Sequence, residues 1–430
     1  MSVFKKSFLW AITEVFFILS IFVAVLFGIY GSDIQYNNHL SATELSIISG
    51  TFFIVFSLSQ LFAGILIDKT SPRLFLGGSA IVSALGCVIF ANTSAFEVLL
   101  LSRVLLGLGL GCAFLSVIYT IQSSFPEERF VLFVSISLCV ANILVGTMGM
   151  VSGSFLSGHS YNFSFTILAI LLFIVGILLM ALFDKNVSKQ QVTKSKQGEK
   201  SLFQMLKEIF TKRSFWFSVL FFIGLLSGIL TFSDLFNVSY QMDTFGISHE
   251  NAISLNGMIP IGMAVGAPLA GWLSSRYSNQ LVAIGFSFIA LLSIILILYV
   301  PFSEYYRLEI SYIVNFIFGV GCGSTILAYE EIRLTVSSLS SRMLANSLIL
   351  TIAHLFNGLI LQPLIGFIVD HTTVAEDRFY VLFSANYMRW LYDDSINNLW
   401  HRYDGGLSLI TFVLVISFIS SIFFKSKKFS

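Results

Sequence analysis

Twelve apolar runs, each long enough to cross a bilayer as a helix, limit what this chain can fold into more than any other feature. They fall near 8–30, 44–67, 74–93, 96–122, 130–156, 163–183, 214–238, 250–274, 279–300, 308–329, 343–369 and 405–424. A hydrocarbon core about 30 Å thick takes about 20 helical residues. Lipid offers the backbone no hydrogen-bond partner, so spanning segments of this kind are α-helices. Composition agrees, since 56% of the 430 residues are hydrophobic and 11% charged, against about 25% charged in a soluble domain. The expected fold class is an all-α integral membrane protein with twelve transmembrane helices. Lys5 and Lys6 precede the first run as they would in a signal peptide. That run is long enough to span and no small-residue cleavage site follows it, so it reads as a retained helix.

The bases fix an expected orientation. With the N-terminus inside, 19 of the 24 Lys and Arg fall in inner segments and four outside (Arg307, Arg378, Arg389, Arg402), while Arg103 lies within a span. The positive-inside rule then places both termini in the cytoplasm. The lysine-rich segment 184–213 reads as a cytoplasmic linker, with a short amphipathic helix expected at 201–211 on the membrane surface. The outside loop at about 370–404 holds Phe379, Tyr380, Phe383, Tyr387, Trp390, Tyr392, Trp400 and Tyr403 and reads as an interfacial aromatic belt. Cys87, Cys112, Cys139 and Cys322 lie in apolar runs without zinc or CxxC spacing, and read as packing residues.

The two halves repeat. Shifted by 207 residues, Gly50, Ala63, Gly64, Lys69, Ser71 and Gly78 of the first half fall on Gly257, Ala270, Gly271, Arg276, Ser278 and Gly285. Shifted by 212, Arg103 falls on Asn315, Asn142 on His354 and Gly146 on Gly358. Two six-helix units of like topology make the internal-repeat pattern of many secondary transporters. The expected organisation is a first bundle over 1–183, the linker 184–213, and a second bundle over 214–430.

These features resemble the major facilitator superfamily, and the likeness covers essentially the whole chain. The loop after the second span, AGILIDKTSPRLFLGG, resembles that family's Gly-x-x-x-Asp-Arg/Lys-x-Gly-Arg/Lys-Arg/Lys signature: Gly64, Asp68, Lys69 and Arg73 fit, while Ser71 and Pro72 depart from it. The second-half copy keeps Gly271 and Arg276 but has Ser275 in place of the acid. The resemblance implies two pseudo-symmetric six-helix bundles. It also implies a conformational latch at Gly64, Asp68, Lys69, Arg73, Gly271 and Arg276 that favours the outward-facing state. Arg103, followed by Gly107, Gly109 and Gly111, resembles the family's arginine-plus-glycine motif. GTMGMVSG in the fifth span lacks the Gly-Pro of drug–proton antiporters. YQMDTFGISHENAISLNGMIPIGMAVGAPLAGW and ILQPLIGFIVD resemble a nutrient and siderophore transporter branch of intracellular bacteria.

Ionisable groups inside a membrane are costly, which makes each a candidate for function. Arg103 suits a substrate carboxylate or proton coupling, and Asn315 is its repeat partner. His354, mid-span, titrates near physiological pH, and its repeat partner is Asn142. Glu14 is a candidate proton carrier, Asp234 with Ser233 lies near an outer helix end, and Gln60 is weaker. The family cavity, lined by helices 1, 4, 7 and 10, favours Glu14, Arg103, Asp234 and Asn315. Pro260, Pro268 and Pro363 are expected to bend the eighth and eleventh spans where they line it.

The leading reading is a secondary transporter moving a small polar nutrient such as an amino acid across the inner membrane by proton symport. Few charges in the spans suit a zwitterion better than a multiply charged anion. A carboxylate siderophore is the alternative solute, and a non-transporting sensor on a transporter scaffold is the alternative class, kept open by Ser71, Pro72 and Ser275. No nucleophile–base set or metal-spaced cluster suggests an enzyme. The expected partners are a small solute and the bilayer, with no nucleic acid, no metal and no cofactor beyond a proton gradient, and the expected state is a monomer.

Overall fold

In the computed structural model, residues 3–126, 130–151, 153–183, 202–300, 307–336, 338–371 and 397–425 are described, and regular structure among them is entirely helical. Twelve helices cross the bundle: α1 (Val3–Ile29), α2 (Ala42–Lys69), α3 (Pro72–Ala91), α4 (Phe96–Ser124), α5 (Phe130–Val151), α6 (Tyr161–Leu182), α7 (Arg213–Phe245), α8 (His249–Arg276), α9 (Asn279–Tyr299), α10 (Arg307–Thr335), α11 (Ser341–His371) and α12 (Asn397–Ser421). Twelve alternating crossings return both termini to one end, here the terminal end; the other is the far end. The linker 184–201 and most of the loop at 372–396 lie outside the described residues, together with the aromatic belt expected there. Tyr403 alone of that set is described in detail: it is buried and donates to Asp243 at 2.8 Å.

Helix starts follow from local sequence. Ser41 and Glu44 form a capping box that opens α2, and Ser160, Ser248, Ser278 and Ser338 accept backbone N–H groups at the starts of α6, α8, α9 and α11. Each satisfies a donor the first helical turn leaves open. Pro72 at the first position of α3 fixes the turn after Lys69, since its ring presets helical φ and the missing N–H costs nothing there. The lipid-facing surface is apolar, as on α6, which exposes Ile170, Leu171, Phe173, Ile174 and Ile177.

Two helices depart from α geometry. Helix α7 is π-helical over Gly228–Phe236, and α11 over Asn357–Leu361. The second bulge sits just before Pro363, whose ring would crowd the carbonyl four residues back in a regular helix. Pro260 and Pro268 leave α8 helical throughout His249–Arg276. The linker helix Leu202–Phe210 forms close to the expected bounds. It docks at the terminal end, where Ser341 donates to Glu208 at 2.9 Å and Lys212 donates to the Thr335 carbonyl at 2.5 Å.

The halves meet through glycines. A Cβ on Gly50 of α2 would strike the Gly358 carbonyl of α11, and one on Gly146 of α5 would come within 2.7 Å of the Gly257 carbonyl of α8. In sequence Gly50 repeats as Gly257 and Gly146 as Gly358, so the rotation that exchanges the halves also exchanges these two crossings. Ser32 donates to Ser239, its own repeat mate 207 residues on, at 2.8 Å. The pseudo-two-fold axis therefore passes between these hydroxyls. Further contacts between the halves lie near the far end: Gly28 against Asp234, Gly153 against Glu250, His249 Nε2 with the Ile29 carbonyl at 2.9 Å, and Gly366 against Ala42. The structure is closed at the far end.

Small residues at such crossings let backbones touch. Gly50→Leu is expected to wedge α2 from α11 and cost about 1–3 kcal/mol, read as a lower unfolding midpoint of the detergent-solubilised protein. Gly271→Leu, where an added Cβ meets nothing within 4 Å, is expected to leave the midpoint unchanged.

Candidate functional site

Arg103 sits two turns into α4 and is 1% exposed. Its guanidinium lies over Phe27 of α1 at 3.8 Å and Phe90 of α3 at 4.7 Å, with Phe52 of α2 and Phe165 of α6 each at 5.8 Å. Desolvated cation–π contacts contribute about 2 kcal/mol or more, which helps hold a charge in this box. Nε and Nη2 have no hydrogen-bond partner. Helix α4 thus presents a caged cation with donors to spare, in place of an internal ion pair.

Phe27 and the next residue, Gly28, point about 100° apart around α1. Phe27 takes the Arg103 guanidinium, while Gly28 lets the backbone of α7 approach so closely that an added Cβ would lie 2.5 Å from the Asp234 carbonyl oxygen. The Arg103 guanidinium and the Asp234 main chain therefore both meet α1 at this turn. Asp234 lies within the π-helical stretch and is 6% exposed. It lies toward the far end, where α7 continues past it to Phe245, and its side chain is buried rather than solvated. The Ser233 hydroxyl lies beside its carboxylate.

The second half holds a connected amide cluster around this bulge. Asn237 of α7 donates to Asn256 of α8 at 2.9 Å and to Asn315 of α10 at 3.2 Å. Ser233 donates to Asn256 at 3.3 Å, and Gln241 donates to Asn237 at 3.3 Å. Asn315 donates its own N–H to the Ser311 carbonyl at 2.8 Å. Thr231 donates to Asn357 at 2.8 Å, and Gln362 donates to the Leu230 carbonyl at 2.7 Å, tying the two π-helical segments together. Asn315 thus belongs to a neutral network where its repeat partner Arg103 is a caged charge. Hydrogen-bonded buried amides of this sort rigidify a core, although the side-chain oxygens of Gln241 and Gln362 are buried without a partner.

His354 is buried at the α2–α11 crossing. Its ring is stacked with Phe56 at 5.8 Å and tilted against Phe53 at 6.1 Å, and Nδ1 meets the Leu350 carbonyl at 2.8 Å. Asn142 is half-buried on α5 and donates to the Leu138 carbonyl at 2.8 Å. Both side chains therefore bond back to their own helix. Glu14, on the terminal side of α1, is 7% exposed, and neither carboxylate oxygen has a hydrogen-bond partner by distance. The Ser137 hydroxyl, which accepts from the Trp10 indole at 3.2 Å, lies beside it. Gln60 is half-buried on α2. The structure gathers Arg103 and Asp234 about α1, links Asn315 to α7, and leaves Glu14, Asn142 and His354 in separate places.

The profile of the Major Facilitator Superfamily matches residues 14–347. The chain belongs to this superfamily. It is therefore a multi-pass membrane transporter of small solutes and not an enzyme. A crystallised bacterial homolog of the human lysosomal transporter Spinster, in an inward-facing and unoccupied conformation, superposes with a TM-score of 0.69 at 16% identity, covering 97% of this chain and 97% of that one. The nucleoside transporter NupG superposes with a TM-score of 0.71 at 16% identity, covering 99% of this chain and 100% of that one. No curated protein matches the sequence significantly.

The superfamily signature is only partly described. The side chains of Gly64, Asp68 and Lys69 lie outside the described residues. Arg73 is half-exposed, and Arg276 is exposed with its guanidinium 4.1 Å over the Trp272 ring. Sequence reading missed four sets of polar groups. Asn237, Asn256, Asn357 and Gln362 are single uncharged residues in apolar runs, with no pattern to raise them. Glu331 ends α10 in a run that looks like a helix terminus, yet it is fully buried and accepts from the Lys425 backbone at 3.0 Å. Asp370 looked like a loop residue. Tyr30, buried, donates to the Leu156 carbonyl at 2.8 Å.

Asn237→Leu is expected to strip Asn256 and Asn315 of a shared donor. Asn256 keeps the Ser233 hydroxyl, but leaving the buried Asn315 acceptor unmet costs about 1–3 kcal/mol, which a lowered thermal midpoint would register. Asn142→Leu, which breaks a bond only to its own helix, is expected to shift that midpoint by less than half as much.

Proposed function

We propose that the protein is a proton-coupled symporter for a small zwitterionic nutrient of the amino-acid class in the inner membrane, with both termini cytoplasmic. The observation that supports this reading is that Arg103 and Asp234 both meet α1 at the Phe27–Gly28 turn, the first through its guanidinium and the second through its main chain, with no ion pair between them. A zwitterion can partner both: its carboxylate fits the guanidinium donors left open on Arg103, and its ammonium fits the carboxylate of Asp234. Burying a charge without a partner is expensive, so a buried carboxylate is suited to travel with a proton. Glu14, alone on the terminal side, is assigned that proton. His354 sits at a crossing whose burial changes when the halves rock. With both termini inside, the end closed in this structure is the outer one.

The amide cluster of α7, α8 and α10 is neutral, so it adds hydrogen bonding without adding charge. That suits one carboxylate and one ammonium better than a solute carrying several negative charges. The test is liposomes holding a trapped pH dye, given pooled amino acids and then carboxylates lacking an ammonium group, siderophores included. Proton entry with the amino-acid pool is expected, reduced at least tenfold in Arg103→Met and Asp234→Asn. Glu14→Gln is expected to retain labelled-solute counterflow while losing proton entry. Proton entry with the carboxylates alone would reassign the solute to that class. Silence with every pool, together with absent uptake of labelled solute, would overturn the symport reading and favour a sensor.

A further inference from the structure

The most completely formed polar contact between the halves lies at the far end, on residues that take no part in the solute or proton assignment. The last turn of α11 carries Asp370. Its Oδ1 accepts from the Ala42 N–H at 2.7 Å, and its Oδ2 accepts from the Thr43 N–H at 2.7 Å and the Thr43 hydroxyl at 2.5 Å. Ala42 and Thr43 are the first two residues of α2, in the other half of the protein. Helix N-termini carry unpaired N–H groups and a partial positive charge, and charge-assisted bonds to carboxylates are about twice as strong as neutral ones. Ser41 and Glu44 already satisfy each other in a capping box, so Asp370 takes the amides that box leaves open.

One turn earlier, Gly366 makes this approach possible. A Cβ there would lie 2.5 Å from the Ala42 carbonyl oxygen. Gly366-Phe-Ile-Val-Asp370 is therefore a docking unit, a close-approach glycine followed four residues later by a capping acid. The same Gly-x-x-x-Asp spacing stands at the other end of the same helix pair, as Gly64-Ile-Leu-Ile-Asp68 closing α2. Helices α2 and α11 are antiparallel, so the two stretches of like spacing stand at opposite ends of the pair.

We infer that Asp370 is the positioning residue that clamps the far end shut, through the N-terminus of α2, and that it acts against the latch at the terminal end. Rocking the halves to open the far end must lift Gly366 off Ala42 and break all three Asp370 bonds together. The second interface, α5 against α8, has no matching acid: the position 212 residues before Asp370 is Gly158. Closure at the far end thus draws on one asymmetric clamp in addition to the symmetric glycine crossings. This inference rests on alternating access between two closed ends, and not on the identity of the solute.

The experiment measures spin-label distances in nanodiscs without solute, in a background with Cys139 replaced by Ser. One pair, Tyr36 and Glu309, reports the far end, and Leu74 with Leu281 reports the terminal end. Asp370→Asn is expected to raise the population with the longer Tyr36–Glu309 distance about tenfold, within the range of typical coupling energies, and to shorten the Leu74–Leu281 distance in step. Gly366→Leu is expected to act in the same direction. If Asp370→Asn does not fold, Thr43→Val, which removes one of the three bonds, must shift the same population by a smaller factor. Unchanged far-end distances in the folded variants would overturn the inference. So would Asp68→Asn opening the far end as Asp370→Asn does, because that would mean general loosening. Because the readout needs no solute, a failed uptake assay leaves this result standing, and the reverse also holds.

Discussion

The architecture depends on backbone meeting backbone at glycine. Lipid supplies no hydrophobic force between helices, so close packing must hold the halves together. Gly50 lies against Gly358 and Gly146 against Gly257, and any larger side chain would part them. Because contact is made by main chain, it is short in range and either made or lost. That suits a protein whose halves must separate at one end while remaining joined at the other. The same crossings carry the pseudo-two-fold relation, with Ser32 and Ser239 bonded across its axis.

On that symmetric frame the polar groups are distributed unequally. The first half holds a charge in a phenylalanine box at Arg103, with Glu14 near the terminal end. The second half holds neutral amides joined by hydrogen bonds around two π-helical bulges. A π-helical turn shifts the register of everything after it and is frequent at functional sites. In α7 it carries Asp234 to the contact with α1, where the two halves meet. The chemistry therefore sits at the junction between a half that cages a charge and a half that joins neutral amides. The rigid half provides the surface against which the other works, and the far-end clamp at Asp370 adds a third element that symmetry alone does not provide.

Much of the candidate site was legible as a set of costly residues and little of it as a geometry. Arg103, Asp234, Glu14 and His354 stand out because ionisable side chains are rare in apolar runs. Their surroundings do not stand out. Nothing in the spacing of Phe27, Phe52, Phe90 and Phe165 says that four helices bring them round one guanidinium. Asp234 read as a helix end because the hydrophobic run fades before Phe245, although the helix continues. Asn237 and Asp370 stayed hidden for different reasons: the first is one amide among apolar neighbours, and the second lies where a span gives way to a loop.

Sequence by itself determined the class of the molecule. Run length and hydropathy dictate helices, because backbone in lipid must bond within its own segment, and the repeat at shifts of 207 and 212 dictates two related bundles. Only the tertiary structure decided which glycines touch, which charges stay unpaired and which acid caps which helix. Those facts depend on how helices distant in the chain are rotated and brought together, and a hydrophobic run records the need for burial without recording the neighbour that provides it.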